Sequence, residues 1–260
     1  DLRKLWIENG KKEKGNWIHV FGDTPYAKEF FMASQYATYV DWIAGEGKKE
    51  YHLPMFINAW IIQTPTQMPG QYPNGGPVSR VLDIYKALAE NIDILSPDIY
   101  LPDFKEEVAK YKRADNPLLV PESKYEPGRA FYSFAECDAL GFAIFGIEDY
   151  TDRSLLQETH RILHELQPMI LEYQGSGNMR GFLRYKERTQ EMVFGKYRFR
   201  VSYPENDNPA FGMIVQTDDD EFIVAGVNFD MVVTSVNENK TAYFLQIWEG
   251  MGTIPFIEWR

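Results

Sequence analysis

The sequence predicts an α/β fold in which a parallel, helix-covered sheet gives way to antiparallel β structure. Three observations predict it. Short runs rich in Ile, Leu and Phe alternate with helical periods four times over. Those runs are apolar at successive residues rather than every second one, as suits strands covered on both faces. Beyond "GSGN", Gly175 to Asn178, the helical periods stop and strand-like runs take over. The boundary therefore falls near residue 176, dividing the 260 residues into 1–175 and 176–260.

The elements follow in order. From Ala27 to Lys48, Phe30, Phe31, Tyr36, Ala37, Val40 and Ile43 recur at helical spacing. "LPMFINAW", Leu53 to Trp60, is a first strand, and a Pro/Gly-rich loop, "TPTQMPGQYPNGGP", follows. Val78 to Asn91 returns to helical spacing through Val81, Leu82, Tyr85 and Leu88. "IDILSPDIYL" is a second strand, Asp103 to Arg113 a helix, "PLLVPE" a third strand, and Gly128 to Cys137 a short helix. "GFAIFGIE" is the fourth strand. A long amphipathic helix runs from Asp152 to Tyr173, with Thr151 or Asp152 as cap. Past residue 176 come "RGFLRYKE", "EMVFGKYRFRVSY", "FGMIVQT", "EFIVAGVNF", "MVVTSV" and "TAYFLQIWEG", separated by turn signals such as "PENDNP". They read as an antiparallel β-sandwich.

Composition excludes several classes. Hydrophobic residues make 44% and charged residues 25%, the balance of a soluble globular protein. The net charge of −11 is a poor match for nucleic acid or an anionic membrane. No apolar run approaches the roughly 18 residues of a membrane span. Cys137 is the one cysteine, so no intrachain disulfide forms, and it reads as a small buried residue. Aromatic residues reach 15%, an excess that suits core packing and also the stacking of sugar rings.

In parallel α/β folds the chemistry sits at the carboxyl ends of strands. The first strand delivers Asn58 and Trp60 there, the second Asp98 and Tyr100, the third Glu122, and the fourth Gly146 and Glu148. A carboxylate beside an aromatic hydroxyl suits glycoside hydrolysis, in which one carboxylate attacks and another serves as acid/base. The plain alternative for Glu122 is an ion pair with a Lys or Arg. Asp98, after a proline, reads as capping a loop or holding a neighbour. Glu148 reads equally as a substrate hydrogen-bond partner or as the partner of Arg153. Metal hydrolysis would need His or paired acids at strand ends, and none of the four His sits there. His160 and His164 are spaced as a metal pair on a helix, but "HRILHE" lacks the zincin arrangement and reads as surface.

The segments "YHLPMFINAW", "YPNGGPVSRVLDIYKALAENIDILSPDIYLPDF", "NPLLVPESKY" and "ALGFAIFGIED" resemble the second half of the catalytic barrel of bacterial β-galactosidases of glycoside hydrolase family 35. The likeness is to the subgroup carrying a β-rich C-terminal domain; it covers residues 1–175 well and the rest more loosely. It implies that 1–175 is the C-terminal half of a (β/α)8 TIM barrel and that 176–260 is an accessory, incomplete β-sandwich. It implies Glu122 as nucleophile, Tyr100 as its supporting tyrosine, and Asn58 and Trp60 lining the sugar site. The substrate implied is a β-galactoside or oligosaccharide, and the family favours a periplasmic or secreted setting. The chemistry requires no metal or organic cofactor.

One departure from the family is large. Its acid/base is a Glu after an Asn at a strand end. The one Asn-Glu here lies in "NENK", Asn237 to Lys240, which reads as a turn; "IENG", Ile7 to Gly10, has the order reversed. The acid/base and the first four strands are therefore expected from preceding sequence or a separate chain. "TIPFIEWR" likewise ends on a strand-like run. The expected function is that of a retaining exo-glycosidase. A second reading is a non-catalytic carbohydrate-binding or assembly module that uses Trp60, Tyr72 and the β region.

Overall fold

The computed structural model describes residues 2–244. The chain divides into two compact units, Asp1–Lys124 and Tyr125–Arg260. The change of strand type expected near residue 176 falls inside the second unit.

The first unit opens with two short helices absent from the sequence reading, α1 (Leu2–Glu8) and α2 (Trp17–Phe21). Next comes α3 (Pro25–Glu50). Its start is locally encoded: the Thr24 side chain accepts from the Ala27 N–H, and Pro25 occupies the first turn, where its missing N–H costs nothing. Four strands and two α-helices follow. They are β1 (Phe56–Trp60), α4 (Leu82–Leu88), β2 (Ile94–Ile99), α5 (Phe104–Tyr111), β3 (Leu119–Val120) and β4 (Glu122–Ser123).

β1, β2 and β4 form a parallel sheet with β2 in the centre. The expected third strand is thus two short pieces, because Pro121 has no N–H to continue a ladder. Side chains fill the gaps this leaves along β2. Asn116 Oδ1 accepts from the Leu95 N–H at 2.8 Å, and its amide donates to Leu95 O at 3.0 Å. Two residues past Pro97, the Ser123 hydroxyl donates to Ile99 O at 3.0 Å. Pro97 lies in the same alternation, between Leu95 and Ile99, on a strand whose neighbouring polar groups are met by side chains.

The two faces of this sheet differ. Ala59, Leu95 and Ile99 point to one side and are buried, as are Leu82 and Tyr85 of α4 and Phe104, Val108 and Tyr111 of α5. The other face is open along β1, where Phe56 and Trp60 are 50% and 41% exposed, and buried along β2 at Ile94, Ser96 and Asp98. Among the described residues no strand pairs with the outer edge of β1, and the parallel strands do not close into a barrel.

The Pro/Gly loop after β1 is tied down from within. Tyr72 donates to Glu29 on α3, and Tyr85 donates to the carbonyl of Gly75, whose φ of +105° favours glycine. Burial pushes the Glu29 carboxyl up, opposed by the Tyr72 hydrogen bond and by Arg80.

In the second unit, α6 (Gly128–Ala135) precedes β5 (Gly141–Phe142), the remnant of the expected fourth strand. Gly146, at φ +64°, breaks the extended run and leads into a 3-10 turn at Ile147–Asp149. α7 (Ser154–Tyr173) follows, its first turn fixed by Asp152, whose carboxylate accepts from both the N–H and the hydroxyl of Ser154.

Six antiparallel strands complete the unit: β6 (Met179–Leu183), β7 (Thr189–Phe194), β8 (Tyr197–Ser202), β9 (Phe211–Asp218), β10 (Glu221–Val227) and β11 (Asp230–Ser235). They form two three-stranded sheets, β10-β9-β6 and β11-β8-β7. "EMVFGKYRFRVSY" is therefore a hairpin, β7 and β8, that turns at Gly195 with φ +50°. β9 is apolar on both faces because both are covered. Phe211, Met213 and Val215 pack with Phe131 of α6 and Leu166 of α7, while Ile214 packs with Phe182, Met192, Phe199 and Val201 from both sheets. Asn237 to Lys240 is a turn, closed by a hydrogen bond from Lys240 N to Asn237 O. Residues 241–244 form no strand; the remainder of "TAYFLQIWEG" and all of "TIPFIEWR" lie outside the described residues.

Candidate active site

The parallel register assembles the site. Trp60 of β1 lies opposite Asp98 of β2, and Asp98 lies opposite Glu122 of β4. Paired residues share a face, and so do residues two apart along a strand, so Asn58 and Tyr100 join the same side. Four of the five site residues expected from sequence therefore meet at the carboxyl end of one sheet.

Their contacts centre on Glu122. The Tyr100 hydroxyl donates to Oε2 at 2.8 Å, and the Asn58 amide donates to Oε1 at 3.3 Å. The same amide nitrogen lies 3.3 and 3.2 Å from the two oxygens of Asp98. The Trp60 and Tyr100 rings are 5.9 Å apart and tilted by 30°, a slipped aromatic contact that leaves Trp60 open on one side. Glu122 is half-buried. Among the described residues no Lys, Arg or His pairs with it, so the ion-pair reading of Glu122 finds no partner.

Of the two readings the sequence left for Asp98, the structure shows the second. Asp98 is 7% exposed and holds its neighbour Asn58 rather than capping a loop. Burial raises its carboxyl to about 6; the Asn58 hydrogen bond opposes the rise, and the charge of Glu122 adds to it. The signal available in sequence was its position two residues before Tyr100, on the same strand face.

Glu148 belongs to the second unit, exposed on the 3-10 turn. Arg153 reaches its main-chain carbonyl at 3.4 Å and that of Tyr150 at 2.6 Å. The contact with Arg153 thus runs through the backbone of Glu148. Tyr72 is 6% exposed and spent on Glu29, so it offers no face to a ligand. Cys137 is buried. His160 and His164 lie exposed on α7, and no group of three or more His, Cys, Asp or Glu among the described residues is placed to hold a metal.

Chemically, the cluster presents a carboxylate whose two oxygens each have a donor and which pairs with no cation among the described residues. A flat aromatic face stands beside it.

Comparison with known sequences touches a different region. The family described as a domain of unknown function (DUF5597) matches residues 156–252, from the first turns of α7 through the antiparallel strands. No curated protein matches the chain.

Proposed function

We propose that this chain carries the nucleophile of a retaining exo-glycosidase acting on terminal β-galactosides or closely related β-glycosides. The observation that carries the reading is the way Glu122 is held: Tyr100 on one oxygen, Asn58 on the other, and no cation paired with it among the described residues. Such a carboxylate is held by both oxygens and aimed. Trp60, exposed beside it, offers a face for the apolar side of a sugar ring.

Glu122 attacks the anomeric carbon. The bond to the leaving oxygen breaks, and a second carboxylic acid protonates that oxygen. Water then attacks the glycosyl ester, giving up a proton to the same second carboxylate, and the sugar leaves with its configuration retained. That acid/base is assigned to sequence outside these 260 residues, with its carboxylate about 5–5.5 Å from Glu122.

The first unit is then the second half of an eight-stranded barrel. Support comes from its open β1 edge and the exposure of Phe56 and Trp60 on the face that carries the site. The paired sheets of the second unit form a sandwich accessory to the barrel.

The test is hydrolysis of aryl β-galactosides by the full-length protein and its Glu122→Gln variant. The reading expects activity in the parent and a loss of several orders of magnitude in the variant, since the covalent path is gone. Equal activity in both would reject it.

A further inference from the structure

We propose that Asp98 is a positioning residue that aims Glu122 through Asn58, one amide group serving two carboxylates. What Glu122 does rests on the glycosidase reading; how it is held rests on the geometry.

An amide nitrogen has two hydrogens, and Asn58 gives its pair to Asp98 and Glu122. Among the described residues its side chain bonds to nothing else. Asn58 stands exposed on the edge strand β1, whereas Asp98 stands on β2, buried along its whole length. The anchored partner is therefore Asp98, and the steered one is Asn58. An ionised Asp98 accepts only, so it fixes the amide with nitrogen toward the carboxylates and oxygen away. Without it the amide can rotate and turn its oxygen on Glu122, where two acceptors would repel.

Asp98 can also lose this function by protonation. The charged group that bears on it is Glu122 from β4; Tyr111 from α5, whose hydroxyl is pushed up by burial and by the charges of Glu107 and Asp98, brings no charge of its own. With its carboxyl raised to about 6, Asp98 becomes a donor below that pH and the arrangement around Asn58 breaks.

A double-mutant cycle on the full-length protein tests this, with Asp98→Asn, Asn58→Ala and both. On an aryl β-galactoside, Asp98→Asn lowers kcat on the order of ten- to a hundredfold, the worth of one charge-assisted hydrogen bond, with KM little changed. It also removes an acid-side inflection near pH 6. In the Asn58→Ala background the same change costs less than about twofold, because the path is already cut. An equal cost in both backgrounds, or none in the parent, overturns the proposal. A parent that hydrolyses no β-glycoside sinks the glycosidase reading alone. The 13C titration of the Glu122 carboxyl carbon then decides: the proposal expects an inflection near pH 6 that vanishes in Asp98→Asn and shrinks by about half or more in Asn58→Ala. An inflection unchanged in Asn58→Ala, or absent from the parent, overturns it.

Discussion

The Tyr100 hydroxyl lies 2.8 Å from Oε2 of Glu122, across two strands whose parallel register pairs Asp98 with Glu122. The contact is 22 residues long in sequence but short in space, because Tyr100 extends the same face two residues beyond Asp98. It defines how the carboxylate is aimed.

Removing that hydroxyl should slow turnover without unfolding the chain. Tyr100→Phe deletes one hydrogen bond to a charged group, about 1.5–3 kcal/mol, hence about ten- to a hundredfold in kcat. The melting temperature should barely move, since the ring and its contact with Trp60 remain. Steady-state kinetics with calorimetry on the same variant checks both halves.

Trp60 is 41% exposed and packs on Tyr100 from one side only. Trp60→Ala should weaken binding of a galactose-type inhibitor by about 1 kcal/mol, near fivefold in Kd. Titration calorimetry measures it. Unchanged affinity would place the sugar elsewhere.

Asp98 makes stability depend on pH. Its folded carboxyl is raised from 3.8 to about 6, so its contribution favours the fold below the ordinary value and is lost as pH rises through about 6. Asp98→Asn has no such loss. The variant should therefore gain melting temperature relative to the parent between pH 4 and pH 8. A difference that stays constant across that range would contradict the shift.

Asn116 holds the central strand that delivers Asp98 and Tyr100. It accepts from Leu95 N and donates to the carbonyls of Leu95 and Tyr111, and it is 1% exposed. Asn116→Ala leaves a buried N–H without a partner and should cost about 3 kcal/mol. Urea denaturation reads this as a lower midpoint at constant slope.

Much of the site was legible because alternation along a strand is local. "SPDIY" puts Asp98 and Tyr100 on one face, and an apolar run ending in Glu122 marks a strand end. What was not legible depends on partners distant in sequence. That the Asn58 amide reaches Asp98 follows from a register between strands 40 residues apart, which nothing local encodes. The burial of Tyr72 against Glu29, 43 residues away, is of the same kind. Pro121 and Gly146 were visible but read too weakly: each cut short a strand that its apolar neighbours suggested.

The central claim is that Glu122 forms the covalent bond to sugar, and one measurement addresses it most directly. The full-length protein is incubated with a 2-deoxy-2-fluoro β-galactoside carrying an activated leaving group, then digested and sequenced by mass spectrometry. The account predicts one fluorosugar on the peptide spanning "NPLLVPESKY", attached at Glu122. A label on any other carboxylate would contradict it.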